Sequence, residues 1–251
     1  MVAPAVIAPT FSSLVFTSTF QMSVLSLRQP FLQRTTPEAR LCSCPPWGDV
    51  VQVETWISAS GKHGHTGDWL VRDYITGETH LRATSSRYLM IDKKTRKLSF
   101  LKEAWADQIK PHVLDCHEYP IIMGDNRKLL QILDVDTADY VRTGLSPLWN
   151  DLDINQYVNY HIKYISWILE GAPRSFLESH KLSAMTVEYR KECGRESMLH
   201  NLSAVSRNGT SATNSTDHFT EDEGIEFDHS LYLQDGSEVL RARTMWMPKS
   251  I

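Results

Sequence analysis

Along residues 50–92 apolar and polar positions alternate with the period of a half-buried strand. The run "VVQVETWISAS" alternates through Val51, Val53 and Thr55, a two-residue repeat that sends successive side chains to opposite faces. "DWLVRDYITGE" follows and closes on the turn pair Thr76-Gly77, and "THLRATSSRYLMID" runs into Asp92-Lys93-Lys94-Thr95. Three such runs with turn signals at regular spacing predict a three-stranded antiparallel meander. "KEAWADQIKPHV" reads as a short helix stopped by Pro111, and residues 112–135, irregular and holding Pro120 and Gly124, read as a linker.

The period changes after Asp136. Val158, Ile162, Ile165 and Leu169 are spaced four, three and four, and Tyr164, Trp167 and Ile168 widen that face, so one amphipathic helix is predicted. Gly171 and Pro173 end it. Four strand patterns follow: "LSAMTVEYRKECG", "SMLHNLSAVS", "IEFDHSLYLQ" and "EVLRARTMWMP", the last two joined at Asp235-Gly236. Residues 207–222 form a polar insertion whose only core-type residue is Phe219. A helix apolar over a wide arc needs a sheet wrapped around it. The fold class is therefore α+β, with the hot-dog arrangement as the candidate.

At 251 residues the chain suits one large domain or two small ones. A net charge of -4 excludes a generally basic, nucleic-acid-coating protein. Cys42, Cys44, Cys116 and Cys193 make no CxxC pair, which suits reduced thiols in a non-secreted protein and gives no zinc pattern. Residues 1–44 carry Arg28, Arg34 and Arg40, one acid (Glu38) and many hydroxyls, the composition of an organelle transit peptide. A signal anchor and a terminus without a targeting role are the alternatives. Pro4 and Pro9 interrupt the apolar run, and a spanning helix needs ~20 predominantly apolar residues. The expected divisions are a leader at 1–44, a strand meander at 45–111, a linker at 112–135 and a second domain at 136–251.

Candidate chemistry gathers at "WNDLDINQYVNYHIKYISWILEGAP". Asp151, Asp153 and Asn155 alternate before the helix, whereas one N-cap would suffice to start it. Capping and a polar site at the helix N-terminus both fit this spacing. On an alternating strand Glu192 and Cys193 would face opposite sides, so only one could readily enter a site. Cys193 fits a nucleophile or a buried core thiol, and His161 fits an exposed helix histidine or an acid–base group. His63-Gly64-His65 fits a metal pair or a plain loop. Asn201, Asn208 and Asn214 begin glycosylation sequons. Lys93 to Lys97, with Arg190, Lys191 and Arg195, form basic groups able to steer an acidic partner, or simply a solvated turn and strand edge.

"WGDVVQVETWISASGK", "DWLVRDYITGE", "TADYVRTGLSPLWNDLDINQ", "KYISWILE", "ESHKLSAMTVEYRKECGRES" and "DGSEVLRARTMWMPK" closely resemble the plant acyl-acyl carrier protein (acyl-ACP) thioesterases, especially the B type. The resemblance covers Trp47 to Lys249. It implies a chloroplast-stroma enzyme of two tandem hot-dog domains that hydrolyses acyl-ACP and releases free fatty acid. It implies acyl-ACP as partner, no cofactor, metal or nucleic acid, and no integral membrane segment. Glu192 would activate water or attack directly, Asn155 would polarise the thioester carbonyl or hold the reacting carboxylate, and Asp153 would orient them.

Two departures from the family pattern shape the expectation. Elements that precede "WGDVV" in the family are missing, so the first hot-dog should be incomplete and the second largely complete. Val51 and Val53 would then lie on an uncovered face. The family segment N-Q-H-V-N-N-V-K-Y reads here Asn155-Gln156-Tyr157-Val158-Asn159-Tyr160-His161-Ile162-Lys163-Tyr164. Tyrosine stands at the histidine, one residue is inserted before Lys163, and His161 falls at a family asparagine. Such an insertion either turns one half of the helix by ~100° or forces a π-bulge. Reduced hydrolysis is expected. The alternatives are a non-catalytic acyl- or carrier-binding homologue, as a homodimer or paired with an intact thioesterase, and an acyl-CoA thioesterase.

Overall fold

The computed structural model describes residues 31–32, 37–43, 45, 48–60, 64–90, 130–153, 156–206 and 224–249. They fall into two units, one up to residue 90 and one from residue 130. The predicted helix before Pro111, most of the 112–135 linker, Lys93 to Lys97, His63, Asn155 and the 207–222 insertion lie outside the described residues.

In the first unit the predicted meander is present as β3 (Val51–Ser60), β4 (Gly64–Asp73) and β5 (Thr79–Met90). The β3–β4 register runs unbroken from Val51↔Asp73 to Ser60↔Gly64. Two further strands, β1 (Phe31–Leu32) and β2 (Pro37–Leu41), pair antiparallel with β5. Both come from the segment read as leader. The order is β3-β4-β5-β2. Val71, Leu81 and Ala83 form the core, with Leu41, Val51 and Trp69 against them. The expected uncovered face is therefore only half right: Val51 packs, while Val53 keeps 37% of its surface exposed. The β4–β5 turn is tied by Asp73 Oδ1, which accepts the N–H groups of Ile75 (2.8 Å) and Thr76 (2.6 Å). Those bonds hold the Asp73 carboxyl below its usual range. Gly77 supplies the left-handed φ of 73° that the turn requires.

The second unit has one strand more than predicted. β6 (Tyr140–Leu145) precedes the helix, and β7 (His180–Tyr189), β8 (Leu199–Val205), β9 (Ile225–Leu233) and β10 (Glu238–Pro248) follow it. All pairs are antiparallel, in the order β7-β10-β9-β8-β6. β7 ends three residues before Glu192. The N–H groups of Arg190 and Lys191 converge on Val239 O (2.9 and 3.1 Å), a bulge that ends the ladder. Glu192 and Cys193 therefore lie in a loop, and the alternation argument that opposed them does not apply.

The predicted helix is also changed. A π-helical turn, Tyr160–Tyr164, leads into α1 (Ile165–Leu169), and a short α2 (Arg174–Ser179) follows. Val158 is buried but extended, bridged to Leu152. Ile162, expected on the core face, is 39% exposed. A π turn closes i→i+5 and holds one more residue than an α turn, so the stripe read across it is broken. The face that packs is Tyr164, Ile165, Trp167 and Ile168, against Val187, Tyr189, Leu199, Leu231, Leu240 and Ala242 of the sheet.

The helix end is fixed by polar contacts to that sheet. Asn201 Nδ2 donates to Trp167 O at 3.0 Å. A Cβ on Gly171 would collide with Ser203 Oγ and Asn201 Nδ2 and stand 3.0 Å from Ile168 O. Gly171→Ala is therefore expected to destabilise by about 1–3 kcal/mol, the cost of overpacking a close-packed site. Urea unfolding checks this; a change below about 0.5 kcal/mol would show that the notch is looser than drawn. Because Asn201 is buried and its amide is used internally, the first sequon is not available in the folded chain.

Candidate active site

The loop from Leu148 to Asn159 folds back on itself. Leu152 and Val158 form an antiparallel bridge. Inside it the Asp153 N–H donates to Tyr157 O (2.7 Å), the Gln156 N–H donates to Asp153 O (3.0 Å), and Asp153 Oδ1 accepts the Tyr157 N–H (3.1 Å). Gln156 turns the chain with a φ of 66°, a left-handed value uncommon outside glycine and asparagine. Asp153 thus closes the turn with its side chain. It does not cap the helix: the N-cap position is Asn159, which has no side-chain cap bond, and the Asp153 oxygen serves the loop instead.

This loop lies against the one that carries Glu192. The Val158 N–H donates to Cys193 O at 2.9 Å, and Tyr157 bridges antiparallel to Gly194. The 190–198 loop is stiffened by Gly194 N–H to Ser197 Oγ (3.1 Å). The structure thereby brings the backbone at 157–158 beside 193–194, with Glu192 next in sequence. Asp153, Tyr157 and Glu192 are each half-buried. Asn155 falls outside the described residues, as does the side chain of His161.

Cys193 is buried beside Tyr164 and Tyr189. Burial pushes its thiol up to about 11 and also raises the Tyr164 phenol. A thiol held protonated in this way is a poor nucleophile near neutral pH. Of the basic groups, Arg190 pairs with Glu188 (2.7 Å) and Glu238 (3.0 Å), Lys191 with Asp235 (3.8 Å) and Arg195 with Glu196 (3.6 Å). Their charge is largely balanced locally. Among the described residues no three His, Cys, Asp or Glu side chains are placed to hold a metal, and no helix is long and apolar enough to cross a membrane.

Residues 135–248, the unit that carries both loops, match the Acyl-ACP thioesterase C-terminal domain, and residues 38–109 match the Acyl-ACP thioesterase N-terminal domain. The chain belongs to the acyl-ACP thioesterase family. Its fold is accordingly the double hot-dog of that family. It is 50% identical over 206 residues to the chloroplastic palmitoyl-acyl carrier protein thioesterase of Arabidopsis thaliana, covering 82% of this chain and 47% of that protein. It is 46% identical over 205 residues to the chloroplastic dodecanoyl-[acyl-carrier-protein] hydrolase of Umbellularia californica, covering 82% of this chain and 50% of that one. The chain spans about half the length of these curated relatives. Among solved structures, the 12:0-ACP thioesterase from Umbellularia californica superposes with a TM-score of 0.74 at 41% identity, over 93% of this chain and 78% of that one. An oleoyl thioesterase (putative) from Lactobacillus plantarum, at 18% identity and a TM-score of 0.66, shares the fold.

Sequence reasoning passed over the pairing of Asp151 with Lys163, whose side chains meet at 3.0 Å. Asp151 was one of three alternating polar residues, and Lys163 entered only as a landmark of the family segment. They stand twelve positions apart, and no periodicity links them.

Proposed function

We propose that this chain hydrolyses the thioester of an acylated carrier protein and releases free fatty acid in plastid fatty-acid synthesis, at a reduced rate. The observation that carries the reading is the pairing of the 151–159 and 190–197 loops through Val158 N–H to Cys193 O and the Tyr157–Gly194 bridge, within a domain of this family. Glu192, as a carboxylate, takes a proton from water, whose oxygen attacks the thioester carbonyl. The tetrahedral intermediate collapses, the C–S bond breaks, and the carrier thiolate leaves, receiving the proton that Glu192 took from water. By the family resemblance Asn155 would polarise the thioester carbonyl, and Asp153, whose side chain closes the loop, would orient the site. The plastid setting is supported by relatives described as chloroplastic and by the hydroxyl-rich, arginine-bearing residues 1–44.

Tyr157 at the family histidine favours a second reading, a homologue that binds acyl-ACP without turning it over, as a homodimer or beside an intact thioesterase. Steady-state hydrolysis of acyl-ACP and acyl-CoA by the full chain separates the two. Measurable turnover of acyl-ACP above acyl-CoA, lost about 10²–10⁴-fold in Glu192→Gln, is the expected result. Tight binding of acyl-ACP with no turnover would establish the second reading, and preference for acyl-CoA would replace both.

A further inference from the structure

A charged pair ties the loop that carries Asp153 and Tyr157 to the helix. Asp151 Oδ2 lies 3.0 Å from Lys163 Nζ and also accepts the Leu148 N–H at 2.7 Å. The Asp151 carbonyl accepts the Asn159 N–H at 2.7 Å. Asp151 therefore touches both ends of the loop, at Leu148 and at Asn159.

Lys163 is anchored on the other side. It stands in the π turn, its N–H donates to Asn159 O at 2.9 Å, and its ammonium sits 5.4 Å from the centre of the Trp167 ring. Trp167 is buried in the core of the unit. The connection thus runs from the core through Trp167 and Lys163 to Asp151 and the loop. The two side chains are only 21% and 15% exposed, so solvent and salt screen them less than an ordinary surface pair.

The π turn gives this pair a particular task. Asn159 O, at the N-cap of the π turn, receives N–H groups from both Ile162 (3.2 Å) and Lys163 (2.9 Å), so loop and helix meet at this one carbonyl. The Asp151–Lys163 contact adds a side-chain tie across that junction. We propose that Asp151 and Lys163 are positioning residues for the hydrolytic site. Their ion pair holds the 148–159 loop across the π turn, so that Asp153 and position 157 stay in register with the Glu192 loop. The role in hydrolysis rests on the reading given above; the role in holding the loop does not.

The test uses the full chain with Lys163→Met, Lys163→Arg and Asp151→Asn, the last keeping an oxygen for the Leu148 N–H. Amide hydrogen exchange and steady-state kinetics with acyl-ACP are measured for each. Lys163→Met and Asp151→Asn are expected to speed exchange across 148–159 about tenfold while protection in β8, β9 and β10 stays unchanged. They are expected to lower kcat about tenfold with KM within about twofold, the signature of lost alignment rather than lost binding. Lys163→Arg, which keeps the charge, should restore both. Unchanged exchange at 148–159 in both charge-removing variants would overturn the proposal. So would loosening that spreads equally to β8–β10, which is plain destabilisation. If the native chain turns over no acyl-ACP, the hydrolytic reading fails, while the exchange result still decides whether the pair holds the loop.

Discussion

Tyr157→His combined with deletion of Tyr160 and His161→Asn should raise acyl-ACP hydrolysis about 10²–10⁴-fold over the native chain, the range one acid–base group commonly supplies. Phenols ionise near ~10 and imidazoles near ~6.5, so tyrosine does not replace histidine as a base in a mildly alkaline compartment. Tyr157→His alone should recover little, because the π turn at Tyr160–Tyr164 would remain between it and the helix. Deleting Tyr160 removes the extra residue and should return that turn to α geometry. His161→Asn completes the family segment. The check is single-turnover and steady-state hydrolysis, with circular dichroism to show that each variant is folded. Robust native turnover that survives Tyr157→Phe and His161→Ala would sink the idea that an imidazole function has been lost here. No gain in a folded triple variant would place the defect outside this loop.

The second large effect concerns acid. His229 is fully buried on β9 between Ser203 Oγ on Nδ1 (2.8 Å) and Thr244 Oγ1 on Nε2 (2.8 Å). Trp246 Nε1 donates to the same Thr244 hydroxyl at 2.8 Å, and no carboxylate is among these partners. Burial pushes the imidazole down to about 3, because a charge there would lose its hydration. The unfolded chain takes up this proton near the ordinary value of ~6.5 and the folded chain does not. Stability from this group is therefore full above ~6.5 and falls as pH drops from there toward about 3. The slope approaches ~1.4 kcal/mol per pH unit below ~6.5. Between pH 7.5 and 5.5 the loss should be about 1.4 kcal/mol. Urea unfolding of the native chain and of His229→Gln, each at both pH values, isolates the contribution from that of the other histidines. Equal pH slopes in the two proteins would show that His229 accepts a proton without unfolding.

What the sequence disclosed follows from how each element is buried. β10 was predicted as "EVLRARTMWMP" and spans Glu238–Pro248, because each of its faces meets a distinct environment and the alternation is clear. β6 was missed because five of its six residues are exposed, leaving no alternation to read. α2 has six residues, under two turns and too short for a helical period. The stripe Val158–Ile162–Ile165–Leu169 failed at its first two positions. The first turn has π geometry at Tyr160–Tyr164, which a 3.6-residue template does not detect. At the site, the 151–159 loop was legible from its polar alternation. The Asp151–Lys163 pair was not, because only the folded loop brings residues twelve apart together.

The amide of Asn201 has a consequence for the order of events during synthesis. It sits in β8 with its nitrogen committed to Trp167 O, yet it opens an Asn-Leu-Ser sequon. In a host that routes the chain through a glycosylating compartment, a transferase can reach this nitrogen only before the helix end docks on the sheet. A glycan added then would bar docking, since there is no room beside Gly171. Occupancy at Asn201 would thus act as a clock, marking the fraction of chains caught by the transferase before the second domain closed.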